Sequence, residues 1–214
     1  MIIKNTIFRT LFCCFLTTGI IFHVDGQIDT SMTSAEDYIQ KLKSGALLVR
    51  LYMNKPKIDL MESNLSNPNI NENKKNKIKK LLKSHIEDRL AYKTKVISIF
   101  KSEYQFSKVF FIHDYDYKKF LNGEKGLLLN EKGEYDNALN LDSNFLLGTR
   151  GDNDNTIIIL QKSGDEMPKS FPSRYVRNAI TGLISLFDNK DNLKDYVSKL
   201  NKKLENYHAK VSNQ

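Results

Sequence analysis

The chain has 214 residues, a formal net charge of +8 and a 40% hydrophobic share. That length supports one hydrophobic core without requiring two. Of its 33 basic residues 27 are lysine and 6 arginine; nucleic-acid readers lean on arginine and stacked aromatics, so the bias argues against nucleic acid as a partner.

Residues 1–26 have the layout of a secretory signal peptide. Lys4 and Arg9 give a basic start, Thr10–Phe22 is an apolar stretch of thirteen residues, and Val24-Asp25-Gly26 offers a cleavage site before Gln27. Thirteen residues fall short of the roughly 20 that cross a hydrocarbon core, so the mature chain is expected to have no transmembrane segment. A lipid anchor on Cys13 or Cys14 is the alternative, although both sit near the start of the apolar stretch rather than its end. An exported protein, periplasmic or secreted, is therefore expected, with a single mature domain over residues 27–214. Its cysteines lie in the removed peptide, which leaves no disulfide and no thiol chemistry. Without Lys4, Arg9 and Asp25 its formal charge is +7.

Along the mature chain, Thr33-x-x-Glu36 is a capping box, Tyr38, Ile39 and Leu42 share one helical face, and Gly45 is placed just past the helix end. A helix over 34–44 is predicted. The apolar run Ala46–Tyr52 predicts a strand. Its one charge, Arg50, either lays its stem along the sheet or faces a pocket as an anion-binding arginine. Asn54-Lys55-Pro56 breaks the strand, Ile58–Leu65 predicts two helical turns, and Asn67-Pro68-Asn69 breaks the chain again.

From Glu72 to Tyr104 the residues Ile78, Leu81, Leu82, Ile86, Leu90, Ile97, Phe100 and Tyr104 recur in threes and fours, the stripe of one long helix. Lys75, Lys79 and Lys83 fall opposite the stripe, with Lys74, Lys77 and Lys80 close by. Such a face is either solvated or docks on an anionic envelope surface or polysaccharide. Val109–Ile112 predicts a second strand. Two apolar runs joined by a helical crossover predict parallel neighbours in a sheet covered on both faces.

A short helix is predicted near Tyr117–Asn122. Beyond Gly126 the pattern turns to hairpins. Leu127–Leu129 and Glu134–Tyr135 flank the Asn130–Gly133 turn, Phe145–Leu147 and Thr156–Leu160 flank Gly148–Asn155, and Lys162–Gly164 turns once more. Pro168 and Pro172 bracket an extended connection. A helix over Ser173–Phe187 follows, then a last one with Leu193, Tyr196, Val197, Leu200, Leu204 and Tyr207 on one face, fraying from Val211. The predicted fold is α/β, three layers with a mixed sheet that starts parallel and ends in antiparallel hairpins. The order resembles a thioredoxin-like layout in shape alone, since the Cys-x-x-Cys that defines that family is absent.

His113-Asp114-Tyr115-Asp116 is the best candidate for chemistry, because ligands of open α/β sheets sit beyond the carboxyl ends of strands. If the extended geometry continues, Asp114 and Asp116 share a face about 6–7 Å apart and His113 points away. Two such carboxylates could hold a divalent cation or act as an acid–base pair. A polar strand end capping the next helix accounts for the same residues, and no further ligands complete a zinc set. Asp152 and Asp154 resemble part of a calcium loop without its glycine and distal glutamate, as a hairpin turn also would. Arg174 and Arg177, after Pro172, are anion-binding candidates at a helix start. His85 reads as packing and His208 as part of a fraying end. There is no Gly-x-Gly-x-x-Gly, Walker loop, His-Glu-x-x-His or Gly-x-Ser-x-Gly. These features favour a non-enzymatic binding or structural module of the cell envelope that needs no cofactor. A metal-assisted hydrolase built on His113, Asp114 and Asp116, with Arg50, is the alternative.

Overall fold

The computed structural model describes residues 34–174 and 192–213. Residues 1–26 with both cysteines, Arg177, and all but the start of the helix predicted over 173–187 lie outside the described residues. Helix α1 spans Ala35–Ser44. Its capping box sits one residue later than expected: the Ser34 hydroxyl accepts the Asp37 N–H at 3.1 Å, and Asp37 accepts the Ser34 N–H at 3.4 Å. Thr33-Ser34 followed by Glu36-Asp37 offers two overlapping boxes, and the frame used here puts Ala35, Tyr38, Ile39 and Leu42 in the core.

Gly45 closes the helix by donating to the Lys41 carbonyl at 2.9 Å, but at φ −105° it is not left-handed. Glycine is needed for another reason. A Cβ there would lie 2.2 Å from the Asn144 carbonyl oxygen, the same oxygen that accepts the Ala46 N–H at 3.2 Å. The bare backbone lets two strands start side by side.

Those strands are β1, Ala46–Leu51, and β4, Phe145–Arg150; the others are β2, Lys108–His113, β3, Leu128–Leu129, and β5, Ile157–Leu160. The sheet order is β3-β2-β1-β4-β5. β1 runs parallel to β2, from Ala46↔Lys108 to Leu51↔His113, and parallel to β4, from Ala46↔Phe145 to Arg50↔Thr149. β3 and β5 are antiparallel to β2 and β4 at the two edges. The mixed sheet and its parallel start are as the apolar runs predict. The first hairpin is slight, two residues of β3 and a single bridge from Leu129 to Tyr135. In the second, β4 runs on to Arg150, so the turn is shorter than Gly148–Asn155.

A thioredoxin-like order would set the opening strand of that last hairpin antiparallel to its inner neighbour. Here β4 is parallel to β1, because residues 130–144 carry the chain back across the sheet to the amino end of β1. After β5 the chain also departs from expectation. Phe171 N–H closes a turn on the Pro168 carbonyl at 2.8 Å instead of running extended, which sends the Phe171 ring into the core.

The helices set the layers. One face of the sheet, with Leu47, Val49, Leu51, Phe111, Leu146 and Ile159, packs under α1, the C-terminal part of α3 (Glu72–Glu103) and α5 (Asn192–Ser212). The other, with Leu48, Ile112, Phe145 and Leu147, lies under Tyr117 and Phe120 of α4 (Tyr117–Leu121) and under Leu139 and Leu141. All the predicted apolar residues of α5 pack on the core, and the helix continues to Ser212 rather than fraying at Val211. His208 accordingly packs edge-on against Phe106, centroids 5.8 Å apart. Asn201, nearly buried, accepts the N–H groups of Gln105 and Phe106 at 2.8 and 2.9 Å, tying α5 to the segment that enters β2.

The long helix has two parts. From Tyr92 onward Val96, Ile97, Ile99 and Phe100 are buried, whereas no earlier residue of α3 is. The predicted stripe keeps its spacing but not its burial, since Leu81 is 60% and Leu90 46% exposed. Instead α2 (Lys55–Ser66), which has no buried residue, packs against α3. Half-buried Ile58, Met61 and Leu65 on α2 and Ile78, Leu82 and Ile86 on α3 are too few to make a core. The two helices form an arm about 30 Å long, taking 1.5 Å of rise per residue over 72–91. At its base Asp154 receives Arg89 Nη2 at 2.7 Å and Arg150 Nε at 2.6 Å, so the calcium-like turn serves as a clamp between two arginines. Burial pushes the Asp154 carboxyl up, but the Arg89 hydrogen bond and the charges of Arg89 and Arg150 outweigh it and hold the group below the usual range.

Gly45→Ala is expected to destabilise the fold by about 1–3 kcal/mol, the cost of forcing an extra carbon into a packed site. The urea midpoint should fall with no change of slope. An unchanged midpoint would mean that the backbones at 45 and 144 separate freely.

Candidate functional site

All three parallel strands end on one edge, which carries Tyr52 and Met53 after β1, His113 at the end of β2 and Arg150 at the end of β4. The extended geometry stops at His113. Asp114–Asp116 form a single 3-10 turn that runs directly into α4. A helical turn brings together residues three apart rather than two, so the expected pairing of Asp114 with Asp116 is replaced by His113 with Asp116. Their Nδ1 and Oδ2 atoms are 3.7 Å apart. Asp114 faces the neighbouring strand instead, where Oδ1 accepts the Met53 N–H at 3.2 Å and the Tyr115 N–H at 3.1 Å.

The His113–Asp116 pair is enclosed by two tyrosines and a lysine. Tyr135 donates its phenol proton to Asp116 Oδ2 at 2.6 Å and sits 3.0 Å from His113 Nδ1. The Tyr115 hydroxyl is 2.9 Å from the same nitrogen, and its ring stacks on the imidazole with centroids 5.0 Å apart. Tyr135 meets the imidazole edge-on at 5.3 Å. Lys119 holds Asp116 Oδ1 at 3.1 Å. The histidine and aspartate are 6% and 2% exposed, while Tyr115 and Tyr135 form an exposed outer wall.

Proton accounting limits what this group can do. Tyr135 has one hydroxyl proton and gives it to Asp116, so towards His113 its oxygen can only accept. A protonated Nδ1 can donate to Tyr135 or to Tyr115; without that proton, Nδ1 can take only the proton of Tyr115. Nε2 is buried and without a hydrogen-bond partner in either state. Burial and the nearby charge of Lys93 lower the His113 pKa, which keeps the ring neutral. Burial and the hydrogen bond to Asp116 drive the Tyr135 pKa far up, away from any nucleophilic phenolate. With both carboxylate oxygens engaged, the cluster is suited to bracing the strand end.

The other candidates are dispersed. Arg50 is half-buried on the α4 side of β1, its Nη2 donating to Thr149 Oγ1 at 3.0 Å and its guanidinium 5.6 Å from the Tyr117 ring centre. No carboxylate pairs with it among the described residues, and no hydrogen bond joins it to His113 or Asp116. Arg174 is exposed, and its carbonyl accepts Lys203 Nζ at 3.0 Å. Among the described residues no three His, Cys, Asp or Glu side chains are grouped to hold a metal ion. A cleft of about 470 Å³ opens on the α4 side, lined chiefly by Phe120, Leu127, Leu128, Leu139, Leu141 and Phe145, with Lys162 Nζ 5.3 Å from the Phe145 ring centre. It contains none of the candidate site residues His113, Asp114, Asp116, Arg50 or Arg174. No family model, curated protein or solved structure matches the chain.

The lowered pKa of His113 has a sign. Above about pH 6.5 the ring is neutral in both folded and unfolded chains, and its burial carries no proton penalty. As pH falls below that value, the unfolded chain binds a proton that the fold does not. Stability is therefore lost, by at most about 1.4 kcal/mol per pH unit, until the folded ring protonates too. His85 is shifted in the same direction, by burial first and then by Lys57 and Arg89. His113→Phe should therefore flatten the fall in urea midpoint between about pH 7.5 and 5.5 without abolishing it. Parallel curves for parent and variant would show that His113 does not titrate on unfolding.

Proposed function

We propose that the protein is an exported, non-enzymatic binding module of the cell envelope, an α/β platform whose α2–α3 arm holds an anionic surface. Supporting export is the signal-peptide layout of residues 1–26. The observation that carries the binding reading is the state of the lysines on the arm. Lys74, Lys75, Lys77 and Lys80 have no carboxylate partner among the described residues. Lys79 and Lys83 reach Glu72 and Glu87 only at 4.0 and 3.9 Å, as exposed pairs of little worth. From Lys55 to Ala91 there are nine basic and five acidic side chains, a net +4 within a chain of +8.

The face expected opposite the stripe, with Lys75, Lys79 and Lys83, is not kept, because a step of three and then four sets Lys75 on the stripe itself. Lys75 is half-buried on the side of Ile78 and Leu82, while Lys74, Lys77 and Lys80 are exposed. An arm that has no fully buried residue and carries unpaired cations is suited to meet something outside it. Each lysine near an anionic surface contributes about 1 kcal/mol, weakened by salt. A metal-assisted hydrolase on His113, Asp114 and Asp116 has less support, because Asp114 turns to β1 and both oxygens of Asp116 are occupied.

Replacing Lys74, Lys77 and Lys80 together by Gln is expected to lower clearly the salt concentration that elutes the protein from immobilised dextran sulfate, with circular dichroism unchanged. Elution of variant and parent at the same salt would overturn the reading, since retention would then come from charge elsewhere on a basic chain.

A further inference from the structure

We infer that the anionic surface is a lipid bilayer, on which the arm lies in the headgroup plane with Leu81 inserted between its lysines; this rests on the anionic-surface reading above. The inference comes from an apolar side chain placed among unpaired cations. Leu81 is 60% exposed. It stands seven residues after Lys74 and four after Lys77, which puts all three on one side of the helix, with Lys80 adjacent. None of these lysines is drawn away by a carboxylate among the described residues.

A soluble polyanion, whether polysaccharide or acidic protein tail, would satisfy the ammonium groups and leave Leu81 in water. A bilayer satisfies both. Lysine stems lie against the acyl boundary while their heads reach phosphate, and a leucine between them sinks below the headgroups, as in interfacial helices. The arm is suited to lying flat, since about 30 Å of α3 precedes its first buried residue. Among the described residues no helix is long and apolar enough to cross a membrane, so the contact is peripheral.

The chain contains no tryptophan, so Leu81→Trp supplies a single indole reporter at the proposed point of insertion. With vesicles of phosphatidylglycerol and phosphatidylcholine its emission should shift to the blue, and brominated acyl chains should quench it. Vesicles of phosphatidylcholine alone should do neither. Leu81→Gln should weaken vesicle binding about tenfold and leave retention on dextran sulfate unchanged. The triple Gln variant at Lys74, Lys77 and Lys80 should lose about a hundredfold on vesicles, near fivefold per lysine. Vesicle binding without a blue shift, or Leu81→Gln binding vesicles as the parent does, would overturn the bilayer while the anionic-surface reading stands. Self-association that disappears in Leu81→Gln would likewise overturn it, in favour of a second copy as the partner. Unaltered dextran sulfate retention by the triple variant removes the underlying reading itself.

Discussion

The structure depends on β1 being enclosed on every side. It is hydrogen-bonded along both edges by parallel strands, and Leu47, Val49 and Leu51 are buried on one face as Ala46 and Leu48 are on the other. Such a strand has no solvent side, which is why its residues read as a continuous apolar run rather than an alternation. Its one charge sits next to the carboxyl end, where Arg50 can reach the Thr149 hydroxyl and the Tyr117 ring. The enclosure also dictates its surroundings. A parallel partner cannot be reached by a tight turn, so the chain must travel through α2 and α3 before returning as β2. A second parallel partner requires the crossing of residues 130–144 and the close backbone approach at Gly45.

The crossover helix is therefore obligatory, but its length is not. Covering the sheet face occupies α3 only from Tyr92 to Phe100. The preceding turns lean on α2 alone, and the clamp of Arg89 and Arg150 on Asp154 marks where packed helix gives way to arm. Local stability follows buried contact, so the arm opens more readily than the helix it extends. One secondary-structure element thus has two parts, a packed support below Asp154 and an exposed, lysine-rich stretch beyond it.

Much of this architecture is visible in the sequence because it rests on local patterns. The runs at 46–51 and 109–112, the breaks on either side of α2, the span of α3 and the apolar face of α5 each appear as spacing or turn chemistry. What is not visible depends on direction or on distant partners. Nothing within Phe145–Arg150 specifies whether it runs with or against β1; that is decided by how residues 130–144 cross the sheet. The stripe on α3 gives the same signal over Leu81 and Leu90 as over Ile97 and Phe100, although only the latter have a sheet to cover. At the candidate site, the turn at Asp114 is fixed by the Met53 amide, 61 residues earlier. The Asp116 carboxylate is taken by a tyrosine 19 residues later. Lys119, three residues from Asp116 in a helical turn, is the one partner that spacing could have revealed.

The bond from Asn201 to the amides of Gln105 and Phe106 has a temporal consequence. During synthesis the face of Leu47, Val49 and Phe111 stays without much of its cover until the residues of α5 emerge, and the amides leading into β2 wait nearly a hundred positions for their acceptor. Closure of this face is therefore a late event, tied to a side chain 95 residues downstream of the Phe106 amide that it satisfies.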